Sequence, residues 1–292
     1  MIRANNLTHR VAARAGRFGL YGGFLLFLVV LLTGQLSAGV LVAPSVIFLS
    51  DDSRTGRMTL QNTGDLPQEV SVFFSFGLPE GDSLGDVQVI LDSTVQDPQS
   101  CLGWVKAFPR RLVLPPNASQ VVRFVATPPR DLPAAEYWSR VVIRSQDAQA
   151  QIPVATETEG ITTKLNMVMQ TAIMLKYRHG DNFTELALDG TEVTELDNQV
   201  QVMLNMKNKG NASYLGMLNT RLLDAEGKEI SHNSVQLAVY RDLKRRVLLP
   251  ITEGNHRRPF KVEVEITAKG RNDIAAKDML YGNDITYTAQ VD

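Results

Sequence analysis

Residues 165–178 read Leu-Asn-Met-Val-Met-Gln-Thr-Ala-Ile-Met-Leu-Lys-Tyr-Arg, and this stretch decides the fold class. Every second residue from Leu165 to Tyr177 is apolar or threonine, which is the period of an extended strand with one apolar face. The stretch is also longer than the usual strand of about 5–6 residues. We therefore predict a long β-strand whose apolar face either packs into its own sandwich or is offered to another protein's sheet.

The rest of the chain repeats short apolar runs between turn-forming residues. The runs cover 40–49, 56–62, 69–76, 112–114, 119–126 and 137–145, and then 200–207, 216–223, 234–238, 246–250, 260–267 and 284–290. Short strands at this spacing predict β-sandwiches. The turn-rich tetrapeptide His179-Gly180-Asp181-Asn182 interrupts the pattern. We predict an all-β chain with two tandem sandwich domains, at 39–178 and 179–292.

The first residues have the features of a signal peptide. An apolar run at 24–32 and the small residues Ser37-Ala38-Gly39 follow a basic, acid-free start that carries Arg3, Arg10, Arg14 and Arg17. This order predicts a signal peptide at 1–38 and export to the periplasm. The alternative is a retained membrane anchor, although the apolar run is short for a span of about 20 residues.

The charge of the exported chain argues against nucleic acid as a partner. Removing four arginines from 30 basic residues leaves 26 against 31 acidic ones, a formal net charge of −5. A mildly acidic chain has no electrostatic reason to bind nucleic acid. The basic clusters Arg110-Arg111, Lys244-Arg245-Arg246 and His256-Arg257-Arg258 are scattered, and we interpret them as solvated loop or strand-edge residues.

No motif in the sequence indicates catalysis. His179, His232 and His256 stand alone in polar turns, whereas a zinc site needs three or four converging ligands. There is no nucleophile elbow, phosphate-binding glycine loop or dinucleotide fingerprint. We therefore expect a protein that is not an enzyme and has no metal, cofactor or small-molecule substrate.

The lone cysteine and the two tryptophans leave room for other interpretations. Cys101 cannot form an intramolecular disulfide, so it is a buried or incidental thiol, or one that reacts or pairs between chains. A carbohydrate-binding module would need aromatic residues clustered on one sandwich face. Trp104 and Trp138 are better explained by core packing or a strand edge.

Four short segments of the sequence together resemble one protein family. They are Met58-Thr59-Leu60-Gln61-Asn62, then Phe-Pro-Arg-Arg-Leu-Val-Leu-Pro-Pro-Asn-Ala-Ser-Gln-Val-Val-Arg-Phe at 108–124, then Leu132-Pro133 with Glu136-Tyr137, and finally Gln170-Thr171 with Leu175-Lys176-Tyr177-Arg178. They resemble the PapD-like periplasmic chaperones of pilus and fimbria assembly. The resemblance covers about residues 40–180, and beyond that only domain size and strand count agree.

The resemblance implies a fold and a mode of binding. Family members have two immunoglobulin-like domains at an angle, with a cleft between them. The last strand of their first domain lends alternate apolar residues to a pilus subunit whose own sheet lacks a strand, which is β-augmentation. The matching donor residues here are Leu165, Met167, Met169, Thr171 and Ile173. Flexible methionines suit grooves of imperfect shape.

The resemblance also implies two charged features near the cleft. Glu136 and Arg178 match an ion pair that the family places near the domain interface. The family also holds the carboxylate of the subunit with two basic residues, and the matching positions here are Ser45 and Met174, which carry no charge. Either the alignment shifts, or nearby arginines substitute, or this protein does not anchor subunits in that way.

Two functions remain open from the sequence. The first is an exported chaperone that caps pilus or surface-protein subunits and, as the resemblance implies, works with an outer-membrane usher. The second is a structural or adhesive immunoglobulin-like protein of the cell envelope without capping activity. An exposed long strand also favours self-association, so a homodimer through the edge at 165–175 is a further arrangement to test.

Overall fold

The computed structural model describes residues 39–148 and 167–292, which form a nearly all-β structure with one short 3-10 helix at Ala276–Asp278. The strands of the first half are β1 (Val40–Ala43), β2 (Val46–Ser50), β3 (Thr55–Asn62), β4 (Gln68–Ser75), β5 (Pro79–Gly81), β6 (Val87–Val89), β7 (Val105–Phe108), β8 (Arg111–Leu114), β9 (Ser119–Ala126), β10 (Ala135–Asp147) and β11 (Val168–His179). The predicted signal peptide at 1–38 lies outside the described residues.

The strands of the second half are β12 (Leu186–Leu196), β13 (Gln199–Asn208), β14 (Tyr214–Leu223), β15 (Glu229–Val239), β16 (Asp242–Pro250), β17 (Phe260–Thr267) and β18 (Ile285–Val291). Within residues 39–148 and 167–292, no helix is long and apolar enough to cross a membrane.

Two sheets form the first sandwich. One has the strand order β1-β3-β9-β7 and the other β2-β11-β10-β4-β8. Because side chains alternate along each strand, every second residue faces the space between the sheets. Their shared core includes Met58 and Phe124 from the first sheet and Val141, Leu175 and Tyr177 from the second.

The apolar run at 40–49 is not one strand, as its pattern predicted, but two strands in different sheets. β1 pairs antiparallel with β3, whereas β2 pairs parallel with β11. The change of sheet occurs at Pro44-Ser45, where proline has no amide hydrogen to continue a ladder. Both sheets share one core, so the switch leaves the apolar pattern intact and cannot be seen in it.

The second sandwich packs the sheet β12-β13-β16 against the sheet β15-β14-β17-β18. Leu204 and Leu249 from the first sheet and Leu218, Val262 and Ile266 from the second are each fully buried in its core. The prediction of an all-β chain with two tandem immunoglobulin-like sandwiches is confirmed.

One element departs from this plan. Between β4 and β7 the chain leaves the first sandwich and forms the hairpin β5–β6, which pairs only with itself. The hairpin lies against β16 of the second sandwich, where the Arg246 amide donates a hydrogen bond to the Gly85 carbonyl at 2.8 Å. The sequence pattern did not predict this hairpin.

Candidate functional site

The long strand β11 is paired along only part of one side. It pairs with β10 along its whole length, from Val168 opposite Gln146 to His179 opposite Ala135. On its other side β2 covers only Met174 to Arg178. Within the part of the chain that the structure describes, residues 168–173 therefore have an open edge.

The main-chain groups at this edge can be assigned from the last hydrogen bond before it opens. The Met174 amide donates to the Ser45 carbonyl at 3.2 Å, so residue 174 directs its main-chain groups toward β2. Alternation along the strand gives Ala172, Gln170 and Val168 the same direction. Among the described residues, no strand pairs with the main-chain donors and acceptors of these three residues, so they can bind a further strand.

The predicted donor side chains divide into a buried and an exposed part. Ile173 is only 5% exposed and packs in the first core, and Thr171 is half-buried. Met169 is 41% and Met167 63% exposed. Leu165 lies outside the described residues. One face of the strand thus completes its own sandwich at one end and carries exposed methionines at the other.

Met169 is exposed but not isolated. A Cβ atom placed on Gly39, just before β1, would lie 2.9 Å from the Met169 sulfur. The methionine therefore rests on a glycine whose missing side chain makes room for it. The thioether has three rotatable bonds and can leave this position without a change in the backbone.

The opposite face of β10 and β11 carries a buried charge cluster at the junction with the second sandwich. The Glu136 carboxylate accepts hydrogen bonds from Lys176 Nζ at 2.7 Å, from Arg178 Nε at 3.0 Å and from Ser213 Oγ at 2.6 Å. Lys176 Nζ also contacts the Ser213 hydroxyl and lies 4.3 Å from the centre of the Tyr240 ring. Ser213 and Tyr240 belong to the second sandwich, so the cluster joins the two.

The charges in this cluster compensate each other. Burial alone would raise the pKa of Glu136, but the positive charges of Lys176 and Arg178 hold that pKa below its ordinary value. Arg178 is the second cation of the cluster and pairs with the other oxygen of the Glu136 carboxylate. Its contact with the second sandwich is the Asp278 carbonyl at 2.7 Å, not an acidic side chain. Lys176, which the sequence pattern had left without a role, is the more deeply buried partner.

Neither expected carboxylate-anchor position provides a positive charge. Ser45 is exposed and uses its carbonyl to pair with β11. Met174 is 4% exposed and packs with Phe76, Trp138 and Tyr240. The positions that resembled the anchor are thus a main-chain contact and a core residue.

Sequence reasoning missed a cation beside Met174. Arg140 lies directly opposite Met174 in the β10–β11 register. It is half-buried, and its Nε donates to the Gly77 carbonyl at 3.0 Å. Burial lowers the pKa of the Arg140 guanidinium, and no carboxylate forms an ion pair with it among the described residues. Only the pairing of β10 with β11 places Arg140 next to Met174, so the sequence alone does not identify this arginine.

The described residues offer no arrangement for metal or thiol chemistry. Residues 39–148 and 167–292 contain no group of three or more His, Cys, Asp and Glu side chains placed to hold a metal ion. Cys101 is fully buried, and burial raises its pKa to about 12. The thiol donates to the Ser139 hydroxyl at 3.3 Å, so it is a core residue without a reactive thiolate.

Among the comparisons with known proteins, the matches are to solved structures. No protein-family model matches the chain, and no curated protein matches its sequence. The chain is similar to solved structures of pilus chaperones. One is the YadV chaperone, at 15% identity over 87% of this chain and 100% of that chain, with a TM-score of 0.44.

Two further solved structures carry the same kind of description. The Pseudomonas aeruginosa CupB2 chaperone is 13% identical over 86% of this chain and 100% of its own, with a TM-score of 0.42. The CsuC–CsuE chaperone–tip adhesion subunit complex of Acinetobacter baumannii matches at 13% identity over 85% of this chain and 98% of that chain, with a TM-score of 0.44.

Proposed function

We propose that this protein is an exported, non-enzymatic chaperone that binds pilus or surface-structure subunits by lending them the open edge of β11. The observation that carries the proposal is the open edge at 168–173, which includes the exposed Met169 and follows the exposed Met167. A subunit that lacks one strand of its sandwich would pair with this edge and take the methionines into its groove.

Two kinds of contact contribute to this binding. Val168, Gln170 and Ala172 offer main-chain hydrogen bonds, which give affinity without regard to the partner's sequence. Met167 and Met169 offer apolar surface on the alternate positions. Each is already partly covered, so burial of its exposed remainder contributes about half of the roughly 1.5–3 kcal/mol that full burial of a methionine gives. In this proposal Thr171 is the next side chain offered to the subunit. Ile173 is the last on that face, since it belongs to the core of the chaperone itself.

The carboxylate anchor of the resembling family is proposed to lie on Arg140. Ser45 and Met174 have no charge, whereas the neighbouring guanidinium is half-buried and has no carboxylate partner in the described residues. Charge-assisted hydrogen bonds to a carboxylate are among the strongest in proteins, and an arginine can make two at once. A subunit carboxylate would therefore relieve the cost of keeping this cation out of water.

Arg140→Gln and Arg140→Lys, compared with Arg144→Gln, test the anchor. Arg144 lies on the same strand face but is exposed. We expect Arg140→Gln to weaken subunit binding about tenfold or more, Arg140→Lys to weaken it less, and Arg144→Gln to leave it unchanged. Equal binding by Arg140→Gln and the unaltered protein would rule out this anchor without affecting the strand-donation proposal.

The cellular location of the protein and its domain boundaries are part of the same proposal. The basic, apolar and small-residue order of 1–38 supports removal of a signal peptide and a periplasmic protein. The domains would be 39–178 and 179–292, with the open edge on the first. An outer-membrane usher is a further expected partner, and a homodimer through the edge of β11 would compete with subunit binding.

The central test is co-expression of the full chain with products of neighbouring genes that have incomplete sandwiches. We expect one of them to co-purify and to be lost from Met167→Glu/Met169→Glu. The matched control is Val121→Glu/Val125→Glu on β9, where both valines are exposed to a similar extent, 41% and 38%. If no subunit is captured, or capture is the same in both double variants, the rival function of a structural or adhesive envelope protein is favoured.

A further inference from the structure

The segment 76–100, which carries the hairpin β5–β6, connects the two sandwiches in addition to the Glu136 cluster, and its tip reaches β16. It leaves the first sandwich after β4 and returns to it before β7. We propose that this segment is a brace that covers the open edge of β16 and holds the two sandwiches at a fixed angle. The proposal is independent of subunit binding.

The covered strand would otherwise be an exposed edge. β16 is the last strand of the sheet β12-β13-β16, and β13 pairs with only one of its sides. Open strand edges favour association with other chains. The brace lies on the other side, where the Arg246 amide nitrogen donates a hydrogen bond to the Gly85 carbonyl oxygen at 2.8 Å.

Two glycines let the brace approach β16 at main-chain distance. A Cβ atom on Gly81 would lie 1.8 Å from the Lys244 carbonyl oxygen, which no side chain can tolerate. Gly85 has a φ of +79°, and its Cβ would lie 2.7 Å from the Arg246 amide nitrogen. The fit therefore depends on the absence of side chains at these two positions.

Two basic side chains of β16 form hydrogen bonds with the tip of the brace. Arg246 Nη2 donates to both oxygens of the Asp86 carboxylate, at 2.8 and 2.7 Å. Lys244 Nζ donates to the Ser83 carbonyl at 2.8 Å. On the apolar side, Val87 packs against the core of the second sandwich. The basic cluster at 244–246, which had no functional explanation in the sequence, thus provides two of the clasping residues.

The base of the brace is tied to the first sandwich at both ends. At the start of the brace, Phe76 stacks on Trp138 of β10, and two main-chain hydrogen bonds with Asp92, at 3.0 and 2.9 Å, close the base of the brace on itself. At the other end the Trp138 amide of β10 donates to the Gln99 carbonyl at 2.9 Å. Arg241, just before β16, donates to the Asp97 carboxylate at 2.7 Å. Both the tip and the base therefore make specific contacts with the second sandwich.

These contacts limit relative movement of the sandwiches. The direct chain connection between β11 and β12 is the short segment 180–185, which on its own can act as a hinge. The brace adds a second attachment beside β16. A rotation about 180–185 must break the Arg246–Asp86 pair or pull the hairpin out of its glycine-dependent fit.

Distances between spin labels on the two sandwiches test the brace. Cysteines replace Thr59 on β3 and Thr288 on β18, which are both exposed, while the native Cys101 is buried and does not react. We expect a narrow distance distribution in the unaltered brace and a clearly broadened one in Gly81→Ala/Gly85→Ala. Gly103→Ala is the matched control, since a Cβ there meets nothing within 4 Å.

A charge-reversal pair keeps the test informative if the glycine variant does not fold. We expect Asp86→Arg to broaden the distribution and to speed thermolysin cleavage at the exposed Leu84 and Ile90 severalfold. Adding Arg246→Asp should restore both toward the starting values. If the distribution stays narrow in Asp86→Arg while the brace becomes cleavable, the brace does not set the angle and the proposal is wrong.

Discussion

The Lys176 ammonium lies 2.7 Å from the Glu136 carboxylate, and the two side chains are only 1% and 0% exposed. Both charges come from the first sandwich, yet their burial depends on Ser213 and Tyr240 of the second. A buried charge is tolerated only when it is paired and hydrogen-bonded. The junction is therefore a place where each sandwich completes the environment of the other.

Removing one member of this pair should destabilise the protein strongly. We expect Lys176→Met to lower the free energy of unfolding by up to about 3 kcal/mol, because it leaves the buried Glu136 carboxylate with Arg178 as its one remaining compensating charge among the described residues. The double variant Glu136→Gln/Lys176→Met should recover part of the loss. Urea unfolding measures both. Lys207→Met, which removes an exposed pair with Asp242, is the control and should change stability by less than about 0.5 kcal/mol.

Proline substitutions at neighbouring positions of β11 should separate folding from partner binding. Gln170→Pro removes an amide that faces the open edge, so we expect the protein to keep most of its stability but to lose the subunit. Thr171→Pro removes an amide that faces β10, so unfolding should become easier. Thermal unfolding and co-purification are the measurements. Equal stability of the two variants would contradict the assignment of the open edge.

Acid should lower the stability of the fold through Asp51, which follows β2 and contacts the end of β11. Burial would raise the pKa of Asp51, but hydrogen bonds from His179, Gly180 and Tyr177 lower it from 3.8 to about 2. Because the folded-state pKa is depressed, this group stabilises the fold above about pH 4, and its contribution is lost as the pH falls toward 2. Unfolding curves between pH 5 and 2 should show a smaller pH dependence in Asp51→Asn. The adjacent Asp52→Asn should keep the original slope.

The Cys101 thiol should be inert in the folded protein. Burial raises its pKa to about 12, so almost no thiolate exists at neutral pH. We expect no reaction with a disulfide reagent such as DTNB at pH 8 within the time that a denatured sample needs to react completely. Fast labelling of the native protein would show that the core around Ser139 opens.

Much of the fold was predictable because alternation survives wherever one face of a strand meets a core. The runs at 119–126 and 260–267 coincide with β9 and β17. β12 was missed because it is half-exposed over most of its length and alternates weakly. The hairpin β5–β6 is too short for a pattern, and its position depends on β16, which is about 160 residues further along the chain.

The candidate site was predictable in part for the same reason. The apolar row at 167–177 is local, so its strand could be read directly. Which of its residues are free depends on where β2 begins, and the burial of Lys176 depends on the second sandwich. Arg140 was missed because its relation to Met174 is a cross-strand pairing, and a single sequence does not contain that register.

The change of sheet at Pro44-Ser45 has a consequence for the length of strand that a partner can use. β2 begins to pair with β11 only at Met174, so the position of the switch determines that six residues of β11, Val168 to Ile173, remain open. A switch two residues earlier would close part of that edge, and a later one would lengthen it. The short segment at Pro44-Ser45 thus sets how much of β11 stays open, more than a hundred residues further along the chain.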